Sequence, residues 1–434
     1  MQLKDLTSDD WIKLGLTSNH LKKGTSVQYI EGVRSGHSQT GYINFKVKDG
    51  TNSLLFVKQF YHPQDSSPAY VLQHDINSLL MREVRNCTRI FHNVGPYVPK
   101  LVGYSFNEMI LSFEYVKGYS DKERLIKALG DESKRLKLIY EGVRKVACFD
   151  GKVQSRQQFF EMDMTEKRNT SAMQVEKLVD YLLKIVQYHY NLEGKDVPDD
   201  LERFKDYIRL KENVNLVEEV VTIVKKGEIF TQRSKVLQHG DCRTHHVIGD
   251  KLVDLEQFGL HPHGYDLVTY LNAEGKIALP NVSEFPDLLG WFLACEKKSA
   301  DTSYKKKDLE KLDEESWKKL VHEVDMKDRL EFMVQFLSMH LVENLHLDAS
   351  NKRYSPEHLA SFIQGIPNYS VEKMMVSRLQ HIGEIFELVA DNSLLIGHLP
   401  QSAVVNDYFS RFAELLQRLH LVDMPETVLG KLKS

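Results

Sequence analysis

The chain's densest run of reactive side chains lies at residues 237–256, which read LQHGDCRTHHVIGDKLVDLE. Two carboxylates, Asp241 and Asp254, flank the pair Gly249-Asp250, which sits between HHVI and KLVDL and predicts a tight hairpin. Such a hairpin brings both carboxylates to one end of itself. One is then placed to orient and deprotonate a nucleophile, and the other to hold a metal ion.

The same stretch admits a second chemistry. His239, Asp241, His245, His246, Asp254, His261 and His263 have the donor types of a transition-metal hydrolase. No HExxH segment and no N-terminal DxH block accompanies them, however, and this reading leaves the N-terminal third without a role.

The elements that must position these residues follow from local pattern. Residues 25–33, 42–47 and 54–60 are β-forming runs, separated by Arg34-Ser35-Gly36-His37-Ser38 and by Asp49-Gly50, and predict three consecutive antiparallel strands. A helix is expected over residues 71–91, where Leu72, Ile76, Leu79, Leu80, Val84 and Ile90 recur at helical spacing, ending before Gly95-Pro96. Two short apolar runs, 100–104 and 109–116, complete a β-β-β-α-β-β order. From Ser120 onward the pattern is helical, as in Leu178, Leu182, Ile185, Val186 and His189, and again in Leu330, Met333, Val334, Leu337, Leu341 and Leu345. Only the strand-like island 236–258 interrupts it. The mixed-charge run 297–319 predicts a solvated loop leading into an exposed helix.

Three blocks occur in order: HGDCRTHH, then Asp254-Leu255-Glu256, then Gly264-Tyr265-Asp266-Leu267-Val268. In this the chain resembles the aminoglycoside phosphotransferase and choline kinase group of the protein-kinase-like fold. The resemblance covers about residues 24 to 275. It implies an α+β, bilobal fold: a small N-lobe at 24–117, with a five-stranded antiparallel sheet and one main helix, and a large mostly helical C-lobe at 118–434. The catalytic loop 237–256 would belong to the C-lobe, with a helical extension from about residue 276, and residues 1–23 would form an N-terminal helical extension.

The resemblance also implies roles. Lys58 matches the phosphate-contacting lysine and Glu83 its carboxylate partner, with Asp75 as the other candidate. Glu114, Tyr115 and Val116 match the adenine-binding hinge. Ser35, Gly36, His37 and Ser38 form the turn over the phosphates, where backbone N–H groups are natural anion donors. Asp241 would take the proton of the acceptor hydroxyl, Asp254 would bind Mg2+, and Arg243 would offer its guanidinium to the γ-phosphate. His239 would brace the loop. The implied activity is transfer from ATP, or GTP, bound between the lobes, to a hydroxyl of a small molecule of aminoglycoside, choline or sugar type. The DFG and APE landmarks of protein kinases are absent, which points away from a protein acceptor.

One position departs from the family. His246 stands where the group carries a metal-binding asparagine, and magnesium prefers oxygen donors. Three outcomes stay open: a single-metal kinase, an enzyme preferring Mn2+, or a nucleotide-binding pseudokinase with a regulatory role.

Composition narrows the remaining classes. With 42% hydrophobic and 27% charged residues the balance is globular, which excludes disorder and collagen-like repeats. Lys and Arg number 57 against 61 Asp and Glu, with the signs interspersed, so neither a nucleic-acid stripe nor a polybasic membrane patch is expected. The apolar run 288–295 is far shorter than the ~20 residues that span a bilayer. The N-terminal MQLKDLTSDDWIKLGL carries acidic residues where a signal peptide is apolar. A cytoplasmic protein is expected, with Cys87, Cys148, Cys242 and Cys295 reduced.

Overall fold

The computed structural model describes residues 28–35, 41–48, 54–61, 76–105, 110–160, 171–231, 235–272, 278–304, 306–309, 311–345 and 371–433. The expected extension 1–23, Gly36, His37, Ser38, the Asp49-Gly50 turn and Asp75 lie outside them. The architecture is α+β, with two compact units. One comprises the described residues of Met1–Glu123, Lys152–Asp163 and His245–Phe258, and the other those of Arg124–Gly151, Met164–Thr244 and Gly259–Ser434.

The first unit is built on a sheet of five antiparallel strands in the order β1-β2-β3-β5-β4: β1 Gln28–Ser35, β2 Gly41–Lys48, β3 Leu54–Tyr61, β4 Leu101–Ser105 and β5 Ile110–Glu114. Helix α1, Ile76–Val94, lies between β3 and β4 in sequence, and a single 3-10 turn, Gly95–Tyr97, stops it at the expected Gly-Pro step. Bulky β-formers populate β3 and β5, whose register sets Phe56 opposite Phe113 and Lys58 opposite Leu111.

The hairpin β7 Val247–Ile248 and β8 Lys251–Leu252 turns at Gly249-Asp250 as the sequence predicts, with Gly249 at φ +55°, where glycine carries no Cβ penalty. It packs in this first unit, which differs from the expectation that everything after Gly118 belongs to the helical part. The reason is hydrogen bonding: Gly249 N–H donates to Tyr119 O at 3.3 Å, and Ser120 bridges Ile248. The Phe160 and Phe258 rings, 5.6 Å apart, tie in the segment after Gly151.

The second unit is mainly helical. Its helices include α2 Asp121–Lys127 at the junction, α3 Glu132–Gln154, α4 Ser171–Leu192, α5 Leu201–Lys211, α6 Leu216–Thr231, α7 Tyr265–Asn272, α8 Phe285–Ala300, α9 Glu314–His322, α10 Met326–Asn344, α11 Val371–Asp391, α12 Ser402–Arg418 and α13 Glu426–Lys433. Leu178, Leu182, Ile185 and Val186 of α4 are buried as their spacing predicts, while His189 stays partly exposed, 3.3 Å from Glu193. All six apolar positions singled out between Leu330 and Leu345 are buried. Asp200 and Asp313 cap α5 and α9 by accepting from the N–H three residues on. The charged run from Lys297 is mostly exposed, but α8 continues through it to Ala300 and buries Ser299.

A strand pair not expected from the sequence also lies here: β6 Lys235–Gln238 runs antiparallel to β9 Gly259–Pro262. The latter, GLHP, is too short and too rich in turn residues to register as a strand. Helices α3 and α8 meet at their backbones. A Cβ on Gly151 would stand 2.1 Å from Glu296 O, and Ser299 Oγ donates to Cys148 O nearby. No described helix is long and apolar enough to cross a membrane, and all four cysteines are buried thiols outside any disulfide.

Candidate active site

In the first unit a cavity of about 350 Å³ is lined by Phe56, Lys58, Phe113, Glu83, Asp254 and residues 114–116, among others. The strand period of two puts Phe56 and Lys58 on one face of β3, and the helical i, i+4 relation puts Glu83 and Cys87 on one face of α1. Lys58 Nζ lies 2.9 Å from Glu83 Oε2 and 3.1 Å from Asp254 Oδ1, so one buried cation sits against two carboxylates. Glu83 and Asp254 are thus both in contact with the Lys58 ammonium.

Asp254 is held in the left-handed region, φ 65° and ψ 65°, which is strained for a residue with a Cβ. Asn86 of α1 donates to Leu255 O at 3.1 Å and Val253 N–H to His246 O at 2.9 Å, and these bonds fix the chain on both sides of it. His246 Nε2 is 3.4 Å from Asp254 Oδ2, and the His245 and His246 rings stand edge-on 4.0 Å apart. Glu114 pairs with Lys251 of β8. Burial, and then the Glu83 charge, push the Cys87 thiol well up, so it lines the cavity as a small unreactive hydrophobe.

The donor set bears on metal binding. The partly exposed carboxylate of Asp254, facing the cavity, suits a hard divalent cation whose other ligands are phosphate oxygens and water; the imidazole beside it does not. Among the described residues no three His, Cys, Asp or Glu side chains converge as a metal cluster. His261 stacks on Tyr265 with ring centroids 5.1 Å apart, and His263 Nε2 contacts Glu296 at 2.7 Å.

The second unit holds the HGD loop. His239 is fully buried with its ring edge-on to Phe149, and its Nδ1 accepts from Asp241 N–H at 3.3 Å. Asp266, at the first turn of α7, accepts from His239 N–H and Gly240 N–H, both at 2.7 Å. The Asp241 carboxylate is partly exposed and takes Arg243 Nε at 2.8 Å, so the guanidinium expected on a phosphate rests here on Asp241. Ser35 ends β1.

Reading the sequence missed Asn86, Gln238 and Asp150, and saw in Asp266 only a helix start. Only Asp150 leaves a signal, and it is faint: a polar residue inside an apolar helical row, CFDGKV, followed by a glycine.

No protein-family model and no curated protein sequence matches the chain. Among solved structures it is similar to choline kinase from Cryptosporidium parvum Iowa II, at 10% identity over 88% of this chain and 96% of that one, with a TM-score of 0.43. It is also similar to macrolide 2'-phosphotransferase from Brachybacterium faecium, at 8% identity over 80% and 95% of the two chains, TM-score 0.38. A third is an aminoglycoside phosphotransferase from Streptomyces rimosus, at 12% identity over 67% and 90%, TM-score 0.31.

Proposed function

We propose that the protein is a phosphotransferase that moves the γ-phosphate of ATP to a hydroxyl of a small molecule. The observation that carries this reading is Lys58, a buried cation held by Glu83 and Asp254 at the wall of a largely apolar cavity. Phosphoryl transfer asks a protein for charge neutralisation and positioning more than for covalent chemistry. The apolar walls at Phe56, Phe113 and Val116 suit a flat base, and Lys58, oriented by Glu83, suits the phosphates.

Asp254 would be the metal ligand, with His246 beside it. Magnesium or manganese, when bound, would neutralise phosphate charge during transfer. Asp241 would orient and deprotonate the acceptor hydroxyl, held in place by the backbone bonds of its own loop to Asp266. Arg243 would exchange Asp241 for phosphate oxygens as negative charge develops there.

The test is ADP formation by the purified protein with Mg2+ or Mn2+ and a panel of hydroxylated acceptors, compared with Asp241→Asn. The variant should lose about 10²- to 10⁴-fold in turnover and keep the rise in melting temperature that ATP produces. A wild type that is stabilised by ATP but never forms ADP would favour the regulatory nucleotide-binding reading, which the 3.4 Å approach of His246 to Asp254 supports. Phosphoester cleavage without ATP would favour a metal-dependent phosphoesterase.

A further inference from the structure

Beneath the HGD loop lies a set of charged and polar groups that the proposed chemistry does not touch. Asp150 on α3, Gln238 at the end of β6 and Asp266 on α7 are all fully buried, and Glu296 on α8 is nearly so. Gln238 Nε2 donates to Asp150 Oδ2 at 3.0 Å, while Asp150 Oδ1 meets no donor among the described residues. The Asp150 carboxyl lies within hydrogen-bonding reach of the Asp266 carboxyl. Two fully ionised carboxylates so close, out of water, repel each other strongly, and one proton between them removes the conflict.

Geometry decides which group carries that proton. Asp266 already accepts two backbone N–H groups at 2.7 Å each, so both its oxygens are occupied as acceptors. Glu296 has His263, whose Nε2 lies 2.7 Å from one of its oxygens and 2.9 Å from the other. Asp150 has only a neutral amide. Burial pushes the Asp150 carboxyl well up, and the charges of Asp266 and Glu296 act in the same direction. Gly151 keeps α3 close enough to α8 for Asp150 to stay in this enclosure.

We propose that Asp150 is a positioning residue: as a neutral acid it donates its proton to Asp266, and this carboxyl–carboxylate pair holds the backbone of His239 and Gly240, and through it Asp241, in its working geometry. The link to Asp241's chemistry rests on the phosphotransferase reading; the protonation of Asp150 does not.

The experiment compares wild-type protein with Asp150→Asn and Asp150→Ala. An asparagine can reproduce the neutral acid, accepting from Gln238 through its oxygen and donating to Asp266 through its amide. Difference infrared spectra with labelled aspartate should show a protonated carboxyl band at neutral pH that Asp150→Asn removes. Because the folded protein keeps a proton on Asp150 that the unfolded chain has lost above about pH 4, wild-type stability should fall as pH rises from there towards the raised folded value. In Asp150→Asn that part of the slope should vanish. For ADP formation, Asp150→Ala should lose about a hundredfold in kcat with KM for ATP unchanged, and Asp150→Asn should recover most of it.

Absence of the band, or an Asp150→Asn variant as unstable as Asp150→Ala, would overturn the proposal. If the band and the pH slope behave as expected but wild-type protein never forms ADP, the proton assignment stands and the kinase reading falls. If Asp150→Ala does not fold, the infrared and pH comparison of wild type with Asp150→Asn still decides the protonation.

Discussion

Lys58 on β3 and Glu83 on α1 form a 2.9 Å ion pair with side-chain exposures of 4% and 3%. A pair this deep gives little net stability relative to an apolar substitute, yet breaking it leaves a buried charge uncompensated. Net stability alone therefore does not account for this pair.

Replacing Lys58 by Ala should lower the melting temperature, at a cost of about 3–5 kcal/mol, and abolish the thermal shift produced by ATP. The double variant Lys58→Met/Glu83→Gln separates the two effects: it should recover stability without recovering the shift. ATP affinity unchanged in Lys58→Ala would remove the lysine from the nucleotide site.

His246 presents nitrogen beside the Asp254 carboxylate, where an oxygen donor suits magnesium better. In His246→Asn the ratio of Mg2+-supported to Mn2+-supported ADP formation should rise several-fold over wild type. An unchanged ratio would mean that His246 takes no part in metal choice.

The His263–Glu296 pair predicts a pH dependence of stability. Burial opposes the charged imidazolium, but the Glu296 carboxylate and its hydrogen bonds outweigh it and raise the His263 pKa; the rings of Phe292 and Phe332 close the site. A raised histidine contributes stability that is fully present below its unfolded pKa of about 6.5 and is lost as pH rises through the folded value. Unfolding curves recorded upward from about pH 6 should show this decline in wild type, and His263→Gln/Glu296→Gln should lack it. Parallel slopes would show that the pair is uncharged.

At Gly151 the usual helix preference should reverse. Alanine in a helix interior is favoured over glycine by about 1 kcal/mol, yet here its Cβ would stand 2.1 Å from Glu296 O and 2.8 Å from the carbonyl carbon, neither of which can swing aside. Gly151→Ala should destabilise by about 3 kcal/mol or more, visible as a lower unfolding midpoint. A neutral or stabilising result would mean that α3 and α8 do not approach this closely.

Much of the fold is legible because its elements are local and periodic. The alternation in YINFKV marks β2, the spacing of Leu330 to Leu345 marks the buried face of α10, and Gly249-Asp250 marks a hairpin; each depends on dihedral preference and on which side of an element is apolar. Asp241 and Asp254 stand out as carboxylates flanking a hairpin, and Lys58 only through the order in which it precedes them, as the resemblance implies. The β6–β9 ladder was not, since strand pairing joins residues far apart and GLHP alone carries no period.

Residue types and their order thus settle which groups are present and which elements carry them. Partnership is a different matter, because burial and hydrogen bonding act between segments that sequence separates. Only the tertiary structure decides that Glu83 is the carboxylate on Lys58, that Arg243 turns back on Asp241, that the hairpin packs with the five-stranded sheet, and that Asp150 meets Asp266 beneath the HGD loop. A carboxyl's charge depends on the water and the donors left around it, and folding alone determines those.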